Sequence, residues 1–172
     1  IYVKGQLLTA KDSGIKGFDD LRDKNVVTTA GTTNERFIKS YSADHKMGMN
    51  VISAKDHGEA FKMLETGRAV AFYMDDALLY GERAKARDPH KWVVVGDEQS
   101  REIYSCMVRK GDPQFLAVVN KTLADLYQSS EITSIYQRWF EQPIPPNGLN
   151  LEFPMTAELK QIIAKPVSDP VE

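Results

Sequence analysis

Three short segments hold the side chains best suited to gripping a charged small molecule: Thr29-Ala30-Gly31-Thr32-Thr33, Lys55-Asp56-His57 and Asp75-Asp76. Each follows an apolar or β-branched run and precedes a helical pattern, so hydroxyls, an imidazole and carboxylates fall at strand-to-helix junctions. Helix N-termini offer backbone N–H groups and partial positive charge, and open parallel sheets bind ligands along this edge. In the first segment Gly31 lets the backbone approach closely while Thr32 and Thr33 add hydroxyls, a set that suits a carboxylate. Thr32 with Glu35 also reads as a capping box serving only the helix's own N–H groups. Asp75 follows an apolar strand, where its charge needs water or a cationic partner such as a ligand ammonium. Either Asp75 or Asp76 could instead cap the following helix. His57 could donate to an anion or serve a structural role. These alternatives stay open at the level of the residues.

Other chemistries find little support. No two histidines share metal-ligand spacing, Cys106 is the only cysteine, and no cofactor or metal is expected. The Gly31 loop lacks a Gly-Lys-Thr ending, which argues against a nucleotide phosphate loop. Asp75, Asp76 and His57 could form an acid/base set, but adjacent carboxylates usually point apart and no Gly-x-Ser-x-Gly elbow is present. Cys106 is expected inside an apolar strand, 103–108, and not as an exposed thiolate. Its odd number leaves two readings, a buried thiol or a partner elsewhere. With 22 basic against 24 acidic residues the chain has no nucleic-acid footprint. No apolar run approaches the roughly 20 residues that cross a bilayer. The sequence opens without an initiator Met and in strand character, as if cut from something longer.

The elements that must position these groups follow from periodicity. Strands are expected at 1–8, 25–29, 50–53, 69–74, 92–95 and 103–108, and helices at 33–41, 58–66 and 77–86. The alternation implies an α/β layer of mostly parallel strands covered on both faces. Beyond Arg109 the pattern changes to two amphipathic helices, 115–127 and 132–140, a proline-rich loop 142–148 and a last helix 156–164. A boundary is placed between 104 and 105, separating an α/β portion, 1–104, from a helical portion, 105–172.

Taken in order, several motifs resemble the ABC-transporter solute-binding proteins for polar amino acids, closest to the glutamate/aspartate-binding branch. They are Gly17-Phe18-Asp19-Asp20-Leu21, Val26-Val27-Thr28-Thr29-Ala30-Gly31-Thr32-Thr33, Ser53-Ala54-Lys55-Asp56-His57-Gly58 and Leu64-Glu65-Thr66-Gly67-Arg68. Met74-Asp75-Asp76-Ala77-Leu78-Leu79, Cys106-Met107-Val108-Arg109-Lys110 and the ending from Trp139-Phe140 to Pro145-Pro146 extend the likeness over nearly the whole chain. The resemblance implies a type II periplasmic-binding-protein fold, in which two α/β lobes joined by a two-strand hinge close on the ligand. It implies that this chain holds one complete lobe with its hinge strands plus the C-terminal helices of the other lobe. The front of that other lobe, its Arg and Ser groups for the α-carboxylate, and a signal peptide in the precursor would lie outside this sequence.

By the same resemblance Asp75 takes the α-ammonium, Thr32 and Thr33 bind carboxylate oxygens, and His57 reaches the side-chain carboxylate. Thr29 and Lys55 are neighbouring candidates. Cys106 would pair with a cysteine of the other lobe. The implied activity is periplasmic capture of L-glutamate or L-aspartate for delivery to an ABC transporter membrane permease. A ligand-sensing receptor domain, or an enzyme on this fold such as a dehydratase, are the alternatives. The apolar faces of helices 115–127 and 132–140 would need covering, by the rest of that lobe or by self-association.

Overall fold

A computed structural model describes residues 2–165. It divides into two compact units, one of Val3–Arg101 and one running from Glu102 together with Tyr2. In the first unit β1 (Tyr2–Ala10) leads through a 3-10 turn (Phe18–Leu21) to β2 (Asn25–Thr29), α1 (Thr33–Asp44), β3 (Asn50–Ala54) and α2 (His57–Glu65). Then come β4 (Ala71–Asp75), α3 (Asp76–Lys85) and β5 (Trp92–Val95), and a short β6 (Arg101–Ile103) closes the α/β portion.

The sheet path runs β3-β2-β4-β1-β5. β2 is parallel to both β3 and β4, while β1 is antiparallel to both β4 and β5. Strands β2 to β5 therefore share one direction, as strand-helix-strand grammar demands, and β1 is wedged between β4 and β5 in the opposite sense. The expectation of mostly parallel strands holds for β2 to β5 and fails for β1. A strand's direction is set by the sheet edges it pairs with, and periodicity carries no information about direction.

Neighbouring strand residues split between two cores because side chains alternate across a sheet. Leu8, Val27 and Phe72 pack on one face with Ala60, Phe61 and Leu64 of α2 and Leu79 of α3. Leu7, Val26, Ala71 and Tyr73 pack on the other with Ile38 of α1 and with Phe18 and Leu21 of the 3-10 turn. Both faces are covered, so the strand ends on the edge bearing the three junctions are fixed by cores above and below.

Gly5 lies opposite Asp75 in the β1–β4 register. A Cβ there would collide with the Tyr73 hydroxyl and Ser100 Oγ, which hydrogen-bond to each other over it at 3.2 Å. Only glycine leaves room for that bond.

In the second unit α4 (Pro113–Gln128) starts on Asp112, whose carboxylate accepts the Phe115 N–H at 3.0 Å, as the Asp-Pro pair predicts. α5 (Glu131–Tyr136) passes into a π-helical turn (Gln137–Glu141) earlier than the expected helix end, and α6 (Ala157–Ala164) is capped by Thr156. Tyr136, Phe153 and Leu159 are buried, and Tyr136 stacks on Phe140. Phe115, Leu116, Val118 and Trp139 remain exposed.

The strand expected over 103–108 stops at Ile103. Cys106 is exposed and Met107 is 98% exposed, against the expectation of a thiol inside an apolar strand. An apolar run becomes a strand only where another edge accepts its N–H and C=O groups, and residues 104–108 lie in no named strand. The tail of the sequence beyond Lys165 lies outside the described residues.

Candidate functional site

The three junctions meet because β3, β2 and β4 are neighbours and point the same way. With strands about 4.8 Å apart, their three C-terminal ends span roughly 10 Å, the scale of a small amino acid.

At the end of β2, Thr28 donates its hydroxyl to the Tyr73 carbonyl at 3.0 Å, locking β2 to β4. Thr29 is buried, and its hydroxyl lies 2.7 Å from His57 Nδ1. That bond joins the end of β2 to the first residue of α2. Ala30 N–H continues the ladder to the Ala54 carbonyl, and Gly31, at a φ of +76°, turns the chain into the helix.

Thr32 is the N-cap of α1. Its hydroxyl accepts the Glu35 N–H at 3.0 Å and donates its single hydrogen to the Thr29 carbonyl at 2.8 Å. The capping role is thus realised, and the hydroxyl hydrogen is already engaged in holding the turn. Thr33, the first helical residue, is exposed on the same edge. Glu35 reaches back to the Gly31 N–H at 2.6 Å and also binds Lys39 Nζ and the Ser53 hydroxyl. The hydrogen bonds from Lys39, then Ser53, then Gly31 hold its carboxyl down at about 2. This cluster pins the Gly31 turn to β3.

At the end of β3, Asp56 caps α2 by accepting the Glu59 N–H, and Glu59 returns a bond to the Lys55 N–H, both at 2.8 Å. That reciprocal box fixes the start of α2 and half-buries His57 beside Thr29. Lys55 itself is exposed.

At the end of β4 the two adjacent carboxylates divide their roles. Asp76 Oδ1 accepts the Lys4 N–H at 3.1 Å and the Ala77 N–H at 2.8 Å, tying α3 to β1. Burial raises its pKa, opposed by those two backbone bonds. Asp75 occupies the cap position of α3 without a side-chain capping bond. Its carboxylate is turned instead toward α1, where Oδ1 accepts from Asn34 Nδ2 at 2.9 Å. Asn34 is fully buried in the first turn of α1 and was not among the residues singled out from sequence. The available signal was a poor helix former directly after the paired threonines.

Thr29, Thr32, Thr33, His57 and Asp75 thus stand on one strand edge, linked through Thr29 to His57 and through Asn34 to Asp75. The edge carries the buried Asp75 carboxylate on one flank of β2 and the half-buried His57 imidazole on the other, with a helix N-terminus between them. Such an array suits a zwitterion bearing an additional anionic group. Among the described residues no group of three or more His, Cys, Asp or Glu side chains could hold a metal ion.

Fold and edge together define the ligand-binding α/β class of type II periplasmic binding proteins. The chain is similar to an ABC transporter periplasmic binding protein from Brucella ovis solved with glutathione bound. The TM-score is 0.70 at 27% identity, covering 77% of this chain and 42% of that one. Residues 2–142 match the bacterial extracellular solute-binding proteins, family 3, and the chain belongs to that family. It is 64% identical over 167 residues to the L-glutamate/L-aspartate-binding protein of Pseudomonas aeruginosa, covering 97% of this chain and 55% of the relative. It is 50% identical to the glutamate/aspartate import solute-binding protein of Escherichia coli, covering 96% of this chain and 55% of the relative. The chain spans about half the length of these curated relatives.

Proposed function

We propose that this chain supplies one ligand-gripping lobe of a periplasmic binding protein that captures L-glutamate or L-aspartate and delivers it to an ABC transporter permease. The observation that carries the reading is the placement of Asp75 and His57 on opposite flanks of β2 at one sheet edge. Asp75 receives the α-ammonium, His57 donates to the side-chain carboxylate, and Thr33 with the N-terminus of α1 binds carboxylate oxygens. Thr32 and Thr29 act mainly by shaping the turn and holding the imidazole. The reading is binding and release without turnover, which the names of the relatives as binding proteins support. The names of the P. aeruginosa and E. coli relatives support the choice of acidic amino acid.

Calorimetry on the mature protein with L-glutamate, L-aspartate, L-glutamine and L-arginine tests this. Saturable binding is expected for the two acidic amino acids alone. A preference for arginine or glutamine would sink the assignment of His57 to a side-chain carboxylate.

A further inference from the structure

Asn34 is an unexpected residue for its place. It lies in the first turn of α1 at 2% exposure, where asparagine is a weak helix former and an amide must leave water. Its Nδ2 donates to Asp75 Oδ1 at 2.9 Å, across 41 positions of sequence. Its Oδ1 is buried without a hydrogen-bond partner among the described residues. A side chain retained for stability alone would not leave half of its amide unsatisfied, since apolar residues of the same shape avoid that cost. The helix does not need Asn34 as a cap either, because Thr32 fills that role.

The bond's other end explains the arrangement. Asp76 accepts the Ala77 N–H of α3 and the Lys4 N–H of β1, while Asp75, at the cap position, makes no side-chain capping bond and accepts from Asn34. An amide donor orients a carboxylate without adding a formal positive charge of its own, so this bond does not neutralise the group that must attract an ammonium. A lysine or arginine in the same place would form an internal ion pair and compete with the ligand. The orientation also has a definite sense. Only with Nδ2 toward Asp75 is the contact attractive; the flipped amide would set two acceptor oxygens against each other.

We propose that Asn34 is a positioning residue whose amide fixes the Asp75 carboxylate in the orientation that receives the ammonium group of an amino-acid ligand. The inference rests on the ligand reading given above and adds the residue that orders its cationic subsite. Asn34 acts through Asp75 and does not itself touch the ligand.

The test is calorimetry with L-glutamate on the mature protein and its Asn34→Ala and Asn34→Leu variants, with thermal unfolding of each without ligand. The same Asn34→Ala change is made in an Asp75→Asn background, read by NMR titration, which reaches weak affinities. Loss of a bond to a charged group predicts affinity lower by about tenfold or more in both single variants. Asn34→Leu, which removes the orphaned carbonyl, is expected to bind weakly while unfolding within a few degrees of wild type. In the Asp75→Asn background the Asn34 change should alter affinity less than about twofold.

Unchanged glutamate affinity in a folded Asn34→Ala or Asn34→Leu protein overturns the proposal. So does an undiminished effect in the Asp75→Asn background, or failure of both variants to fold, which would make Asn34 a folding residue. If wild type binds neither L-glutamate nor L-aspartate, the ligand reading itself has failed, a result distinct from all of these.

Discussion

Thr29→Val isolates one hydrogen bond of the site at nearly constant shape. Valine replaces the hydroxyl with a methyl, so the buried position keeps its volume and no cavity opens. What disappears is the 2.7 Å contact between Thr29 Oγ1 and His57 Nδ1. The partner of the Thr29 hydroxyl is Nδ1; were Nδ1 protonated, the buried hydroxyl hydrogen would lack an acceptor among the described residues. The neutral imidazole is therefore expected as the tautomer with its proton on Nε2, the nitrogen left to donate to a ligand carboxylate.

A neutral hydrogen bond contributes about 0.5–1.5 kcal/mol net, and His57 is only half-buried, so the lower half of that range applies. Stability should fall by roughly 0.5–1 kcal/mol, a few degrees in unfolding midpoint for a unit of this size. Affinity for an acidic amino acid should fall by about two- to fivefold if the same free energy is lost from holding the ring. Long-range proton–nitrogen NMR of His57 at a pH where the ring is neutral reads the tautomer directly. Wild type should give the Nε2–H form and Thr29→Val a mixture. An Nδ1–H ring in wild type, or an unaltered tautomer in Thr29→Val, would refute the reasoning.

Other perturbations reach the supports of the site. Asp76→Asn keeps an oxygen for the Lys4 and Ala77 N–H groups while removing a buried charge whose pKa is raised. A raised folded pKa makes ionised Asp76 a cost present above that pKa and gone below the unfolded value. The variant should therefore unfold at a higher temperature than wild type at pH 7, with the difference fading toward pH 4 in calorimetric scans. Glu35 has the opposite sign, its carboxyl being held at about 2 in the fold. Its contribution is present above the ordinary carboxylate range and lost as pH falls through about 2, so Glu35→Gln should flatten the acid limb of a pH-unfolding curve. Gly5→Ala drives a methyl into the Tyr73–Ser100 hydrogen bond and should cost about 1–3 kcal/mol in denaturant titrations.

Local order was legible in the residues. Strand and helix alternation, the capping signals at Thr32, Asp112 and Thr156, and the three strand-to-helix junctions all follow from periodicity and side-chain hydrogen bonding within a few positions. That is why Thr32, Thr33, His57 and Asp75 could be singled out together: parallel strands entered through helices place such junctions on one edge.

Only the tertiary structure decided what depends on distant partners. The reversed direction of β1 is set by which strand edges it enters, and no period-two pattern records that. Residues 104–108 look like a strand in isolation yet leave Cys106 and Met107 exposed, because strand formation needs an edge to pair with. Asp75 and Asp76 are equivalent as letters. They are told apart by Lys4 and by Asn34, groups 72 and 41 positions away, whose hydrogen bonds hold one carboxylate against β1 and turn the other toward α1. A hydrogen bond acts over about 3 Å of space without regard to separation along the chain, so the pairing that gives each polar group its role becomes visible only once the chain is folded.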